Sequence, residues 1–201
     1  VRFDNDLNVL YALPGLHIEL PCDALQAGRA LSAAAEQRGP GIIRCRWGSS
    51  PCLTRETSKF SPGVADVLRY REGGGSFEEA FESRPGSEYR NEGEAFCLVS
   101  AGTALSETLK AAYLLKEQYD IEVRVLNPHT LKPLDIGSLE RAMDEIGVFI
   151  LIEDHMTRGF GSIIAGALSL LRPFHSSMNM AIIELREEDF ASDLAVELIL
   201  V

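Results

Sequence analysis

FCLVSAG (96–102), EVRVLNP (122–128) and VFILIED (148–154) are three short apolar runs, each followed by a turn and then a helical pattern. The first leads into TALSETLKAAYLLKEQY (103–119). The second passes through HTLKPLD (129–135) into IGSLERAMDEI (136–146), and the third through HMTRGFG (155–161) into SIIAGALSLL (162–171). Strands that alternate with helices predict a parallel sheet covered on both faces, because right-handed crossovers return each helix onto the sheet. The expected fold class is α/β, with a three-layer parallel-sheet domain over residues 95–201. In such a sheet, ligands and partners meet the carboxyl ends of the strands.

Upstream, the pattern reads as a helix, a short strand in GLHIELP (15–21), a helix over Ala24 to Gln37 and a strand in GIIRCRW (41–47). Between them and the sheet domain lie SSP, SPG, EGGGS, RPGSE and NEGE. That composition is too rich in Gly, Ser and charge for a long buried element, and it predicts a linker over 54–94. VADVLRY (64–70) and SFEEAFE (76–82) are candidates for short local elements inside it. At the far end, AIIEL (181–185) reads as a strand before an acidic turn and an apolar tail.

The 201 residues are 46% hydrophobic and 24% charged, enough to bury one full domain and part of another. A net charge of −11 argues against nucleic-acid backbones and anionic membrane surfaces as partners. No apolar run reaches the roughly 20 residues that span a bilayer, so the chain is expected to be soluble and cytoplasmic. Cys22, Cys45, Cys52 and Cys97 form no C-x-x-C pair and have no His at ligand spacing. They read as reduced thiols, with no metal site and no redox dithiol.

The candidate chemistry lies at strand ends. Arg44 and Arg46 alternate along a strand, so both point to one side with Cys45 opposite. Two adjacent guanidiniums call for an anion or carboxylates between them: a substrate-phosphate clamp, or salt bridges at an interface. Gly102 permits a sharp turn and Thr103 is placed to cap the helix after it. S-A-G-T-A-L lacks the first and third glycines of a dinucleotide fingerprint, so no cofactor-binding residues are assigned there. His129, Lys132 and Asp135 are close enough in sequence for an acid–base set, but an architectural reading has Lys132 pairing a carboxylate, Asp135 capping a helix and His129 packing at a domain contact. Glu153 and His155 alternate to one side of their strand end and Asp154 to the other, at the carboxyl end of a strand, where ligands and partners meet an open parallel sheet; with His129 they are candidates for an interface or active-site approach. No catalytic residue is assigned.

Read together, SAGTALSETLKAAYLL, VRVLNPHTLKPLD and ILIEDHMTRGFGSIIAGAL resemble the C-terminal domain of thiamine-diphosphate-dependent transketolases. That domain is shared with 2-oxo-acid dehydrogenase beta subunits and 1-deoxyxylulose-5-phosphate synthases. DLNVLYALPGLHIELPCDALQAGRALSAAAEQRGPGIIRCRWG (6–48) is similar to the last portion of the family's pyrimidine-binding domain, so residues 1–53 are expected to be a partial domain of that kind. The resemblance places Arg44 on a family Arg that meets the sugar-phosphate substrate, whereas the second family Arg falls near Trp47, one position beyond Arg46.

The resemblance implies a parent that moves a two-carbon ketol unit between sugar phosphates, with thiamine diphosphate and a divalent metal such as Mg. The alternatives are a fragment of the dehydrogenase or synthase branch, or a non-catalytic assembly module. The chain starts at Val1, partway through what the resemblance treats as one domain, without the half that would carry the glutamate activating the cofactor. It is therefore expected to be a fragment, inactive alone and holding no cofactor itself. Its expected role is subunit assembly, as a homo-oligomer or with a partner subunit carrying the diphosphate-binding domain.

Overall fold

The computed structural model describes residues 6–45, 50–56, 58–71, 77–154, 159–171 and 179–185. Helix α1 (Asp6–Ala12), strand β1 (His17–Glu19), helix α2 (Ala24–Glu36) and strand β2 (Gly41–Ile43) come first. Strands β3 (Asp66–Tyr70) and β4 (Phe81–Pro85) follow. The remainder is β5 (Phe96–Ser100), α3 (Ala104–Tyr119), β6 (Val123–Asn127), β7 (Thr130–Lys132), α4 (Ile136–Glu145), β8 (Val148–Glu153), α5 (Phe160–Leu171) and β9 (Asn179–Glu184).

The main sheet has the order β4-β3-β6-β5-β8-β9. Its members β6, β5, β8 and β9 are all parallel, as the alternation of strands and helices predicts. Period-two alternation divides their side chains between two faces. Cys97, Val99, Leu126, Phe149 and Leu151 join Leu139 of α4, Ile164 and Leu168 of α5 and Leu7 of α1 in one buried cluster. Leu98, Val125 and Ile152 meet Leu105, Leu109, Ala112 and Leu115 of α3 in the other. Each fully buried Leu or Phe contributes roughly 2–3 kcal/mol, so the two clusters hold the layers together. Helix α3 is closed by Asp120, whose left-handed φ of 53° lets its own N–H and that of Ile121 fold back onto the Lys116 and Leu115 carbonyls.

Residues 54–94 carry more structure than a connector. β3 pairs antiparallel with β6, and β4 pairs antiparallel with β3, so this stretch supplies one edge of the main sheet. The charged residues that made it read as solvated are paired internally instead. Arg69 of β3 is buried and places Nη1 2.6 Å from Glu94 Oε1, and Arg124 of β6 reaches Glu145 at 2.6 Å and Glu94 at 3.4 Å. The Tyr89 hydroxyl donates to the same Glu94 carboxylate. A buried charge is tolerated when it is paired and hydrogen-bonded.

A second, small sheet has the order β2-β1-β7. HTLKPLD, expected as a plain connection, forms β7 and pairs antiparallel with β1 of the amino-terminal segment. The Leu20 N–H then donates to the His129 carbonyl at 2.7 Å, and the Leu20 carbonyl accepts from Gly102 N–H at 3.1 Å. The amino-terminal segment is thus pinned over the carboxyl ends of β5 and β6.

Candidate functional site

Glu153 closes β8 and turns toward α5, where its Oε2 accepts the Gly161 backbone N–H at 2.7 Å. A carboxylate beside the first turn of a helix satisfies an otherwise unpaired donor and favours the helix dipole. Burial pushes the Glu153 carboxyl up to about 7, against the lowering pull of Gly161 N–H, and the nearby Glu184 and Asp154 raise it further. Asp154 turns the other way, toward α3, and accepts from the Thr103 hydroxyl. The alternation of these two residues therefore holds. Thr103, expected to cap its own helix with its side chain, makes no such bond and spends its hydroxyl on Asp154. Gly102 has a φ of +63° and makes the sharp turn between β5 and α3. His155 lies outside the described residues.

His129 is buried in the seam between the two sheets, with its ring stacked on Phe60 at 4.3 Å between centroids. Its Nδ1 lies 3.1 Å from Thr130 Oγ1, and Thr130 Oγ1 lies 2.6 Å from Glu19 Oε2. Burial pushes the imidazole down to about 4, with Asp135 pulling it up, so the ring is neutral near pH 7. Lys132, expected to pair a carboxylate, donates to the carbonyls of Tyr11 at 2.7 Å and Leu13 at 2.6 Å at the end of α1. Lysines suit that position because helix C-termini leave carbonyls without partners. Asp135 caps α4 as expected, accepting from Ser138 N–H at 3.0 Å, and its other oxygen accepts from Ala65 N–H at 2.8 Å. His129, Lys132 and Asp135 are each engaged with different partners.

Arg44 follows β2, half-buried, and its backbone N–H donates to the Glu19 carbonyl at 2.9 Å. Arg46 lies outside the described residues.

The structure adds three residues that sequence reasoning did not single out, Glu19, Asp66 and Asn127. Asp66 of β3 is the direct register partner of Asn127 of β6, and Ser100 and Asn127 each come one residue after the paired Val99 and Leu126. Directly opposed or adjacent residues on one face lie close enough to interact. Ser100 Oγ, Asn127 Oδ1 and His129 Nε2 are buried without a hydrogen-bond partner among the described residues. Asp66 is 3.9 Å from His129 Nε2, and burial pushes its carboxyl up to about 7 against the pull of Arg29. Glu19, at the end of β1, is also pushed up to about 7 by burial, with the Thr130 hydroxyl pulling it down. The one signal in the sequence was Glu19, a charged residue between Ile18 and Leu20; Asp66 sat in the presumed linker. Among the described residues, no three or more His, Cys, Asp or Glu side chains gather at metal-ligand spacing.

Comparison with known proteins places this architecture. The family model described as "Transketolase, C-terminal domain" matches residues 86–185. The B subunit of the apulose-4-phosphate transketolase of Phocaeicola vulgatus is 26% identical over 167 residues, covering 82% of this chain and 46% of that protein. Transketolase-like protein 2 of Bos taurus is 29% identical over 168 residues, covering 82% of this chain and 23% of that protein. Human transketolase is 27% identical over 165 residues, covering 81% of this chain and 23% of that protein. A solved "Split gene transketolase, inactive beta4 tetramer" superposes with a TM-score of 0.73 at 25% identity, covering 96% of this chain and 59% of that one. The chain thus spans about half the length of the split-enzyme relative and about a quarter of the transketolases it matches. Over residues 86–185 the chain carries a transketolase C-terminal domain.

Proposed function

We propose that this chain is the carboxyl-terminal piece of a thiamine-diphosphate-dependent transketolase, which transfers a two-carbon ketol unit between sugar phosphates. In that role it forms part of the pyrimidine-side wall and the assembly domain, and it works in the cytoplasm. The observation that carries the reading is that the fold likeness runs over 96% of the chain, taking in the amino-terminal segment as well as the sheet domain. The seam through β1, β7, Leu20 and Gly102 holds those two parts in one body.

Thiamine diphosphate, when bound, supplies the carbanion that carries the ketol unit. Among the described residues no three or more His, Cys, Asp or Glu side chains gather at metal-ligand spacing. In this reading the divalent metal and the diphosphate are held by a partner subunit with the diphosphate-binding domain. By the family resemblance, Arg44 and Arg46 are this chain's candidates to meet the substrate phosphate, and Glu153, Asp154, His155 and His129 are its candidates for the assembly contact or the approach to the site. Alone it self-associates and is inactive.

The test mixes the chain with a subunit carrying the diphosphate-binding domain, thiamine diphosphate and Mg, then supplies a ketose-phosphate donor and an aldose-phosphate acceptor. Ketol transfer in the mixture and none in either part is the expected result. Decarboxylation of a 2-oxo acid in place of ketol transfer would move the chain to the dehydrogenase branch. Sedimentation of the isolated chain as a strict monomer would remove the assembly role.

A further inference from the structure

Glu19, Thr130, His129 and Asp66 stand in line across the seam between the two sheets. Thr130 Oγ1 lies 2.6 Å from Glu19 Oε2 and 3.1 Å from His129 Nδ1, and His129 Nε2 lies 3.9 Å from Asp66 Oδ2. A hydroxyl has one hydrogen to donate, and a neutral imidazole carries its hydrogen on one nitrogen only. When Glu19 is a carboxylate, the Thr130 hydrogen points to it, so Nδ1–H must be the donor to Oγ1 and Nε2 is left as a bare lone pair. When Glu19 is a carboxylic acid, its O–H donates to Oγ1, the hydroxyl turns to Nδ1, and the ring hydrogen sits on Nε2. The charge on Glu19 therefore selects the tautomer of a ring two residues away in the line.

The far end of the line obeys the same logic. His129 Nε2 and Asp66 Oδ2 stand 3.9 Å apart, beyond hydrogen-bond distance. With hydrogen on Nε2, closure by about 1 Å makes a normal hydrogen bond to Asp66.

We propose that these four residues form a proton relay, in which one proton is shared between Glu19 and Asp66 through Thr130 and a neutral His129. In one form Glu19 is the acid, Nε2 bears the ring hydrogen and Asp66 is the carboxylate. In the other Glu19 is the carboxylate, Nδ1 bears the ring hydrogen and Asp66 is the acid. The forms interconvert when Glu19 passes its proton to Thr130 Oγ1, Thr130 passes its own to Nδ1, and Nε2 passes its own to Asp66 Oδ2. One proton moves from end to end, one negative charge moves back, and nothing is oxidised or reduced.

The surroundings support this. Phe60 covers the ring face, so no charge meets it there. Asp135 is the other acid acting on His129, and its oxygens are held by Ala65 and Ser138. Arg29 of α2 is the charge that pulls Asp66 down, and Asp66 in turn helps push up the buried Cys22 thiol. Both end carboxyls are shifted by burial to about 7 while the ring is shifted down to about 4, so the ends titrate together and the middle stays neutral.

The test is nitrogen NMR of the 201-residue chain with labelled histidine, the His129 signals being assigned by their loss in His129→Phe. Near pH 7, where the two ends share one proton, the ring stays neutral and both ring nitrogens carry the averaged signature of the Nε2–H and Nδ1–H tautomers in exchange. Thr130→Ser keeps that exchange. Thr130→Val abolishes it, with circular dichroism confirming the fold. A wild-type ring held in one tautomer throughout, or one that protonates near the ordinary value of about 6.5, overturns the relay even if the Val variant does not fold. These readouts do not depend on ketol transfer.

Discussion

Glu153 Oε2 and the Gly161 backbone N–H lie 2.7 Å apart, tying the last residue of β8 to the first turn of α5. The contact is close because residue 161 has no side chain. A Cβ there would come within 2.8 Å of Ile182 Cγ2 on β9 and 3.3 Å of Glu153 Oε1. Gly161→Ala is therefore expected to cost about 1–3 kcal/mol, since Ile182 Cγ2 must shift and the Glu153 carboxylate that the added Cβ would press on is buried. Urea unfolding measures it, and a change below about 0.5 kcal/mol, the range of ordinary surface substitutions, would show that the helix start is looser than the geometry implies.

The pH dependence of stability has a definite sign. Glu19, Asp66 and Glu153 have folded-state values near 7, raised by burial above ordinary values of 4.5, 3.8 and 4.5. Each binds a proton more tightly when folded, so its stabilisation is full below the ordinary value and is lost as pH rises toward 7. Glu94 runs the opposite way: burial opposes its charge, but Tyr89, backbone N–H groups and Arg124 lower it overall, so its contribution is lost in acid. Stability should peak on the acid side of neutrality and fall on the order of a few kcal/mol by pH 8. Thermal unfolding across pH checks this, and a maximum above pH 7 contradicts it. Glu153→Gln should flatten part of the descending limb.

Removing Glu94 takes from Arg69 and Arg124 the buried carboxylate they share. Arg69 would keep the more distant Glu92 at 3.4 Å and Glu122 at 3.7 Å, and Arg124 would keep Glu145 at 2.6 Å. Glu94→Ala is expected to cost about 3–5 kcal/mol, as when one member of a buried ion pair is deleted. Glu94→Gln should cost less, because an amide oxygen still accepts from Tyr89 or Arg69. Denaturant midpoints of both variants decide it; equal, small effects would mean that water reaches the cluster.

Lys132 holds the end of α1 through the Tyr11 and Leu13 carbonyls and lies 5.3 Å from the Tyr11 ring centroid. Lys132→Met retains the stem and removes the donors. Amide exchange over residues 6–13 should speed up about tenfold, equivalent to roughly 1.4 kcal/mol of local opening, while β5 and β8 keep their protection. Unchanged exchange in α1 would leave its anchoring to apolar contacts alone.

The parallel core was legible in the sequence because its evidence is local. Leu98, Val125 and Ile152 alternate with Val99, Leu126 and Leu151 in runs short enough to be strands, each followed by a helical pattern, and two-sided burial needs no further information. Asp135 as a helix cap and Gly102 as a turn were legible for the same reason: both act within three residues of their own position. Thr103 and Lys132 were misread because their partners, Asp154 and the end of α1, are remote along the chain. β3 and β4 were hidden by their own charges, which read as solvated until Glu94 and Tyr89 were seen to pair with Arg69.

What the sequence by itself determined, then, was which segments alternate between strand and helix and which family they resemble, because periodicity and turn chemistry act over a few residues. What only the tertiary structure decided was who meets whom at the strand ends: Asp66 beside Asn127, Glu19 linked through Thr130 to His129, and Leu20 clasped between His129 and Gly102. A polar side chain's partner, and with it its proton affinity, depends on burial and on groups brought from distant positions by the fold, and no local pattern encodes either.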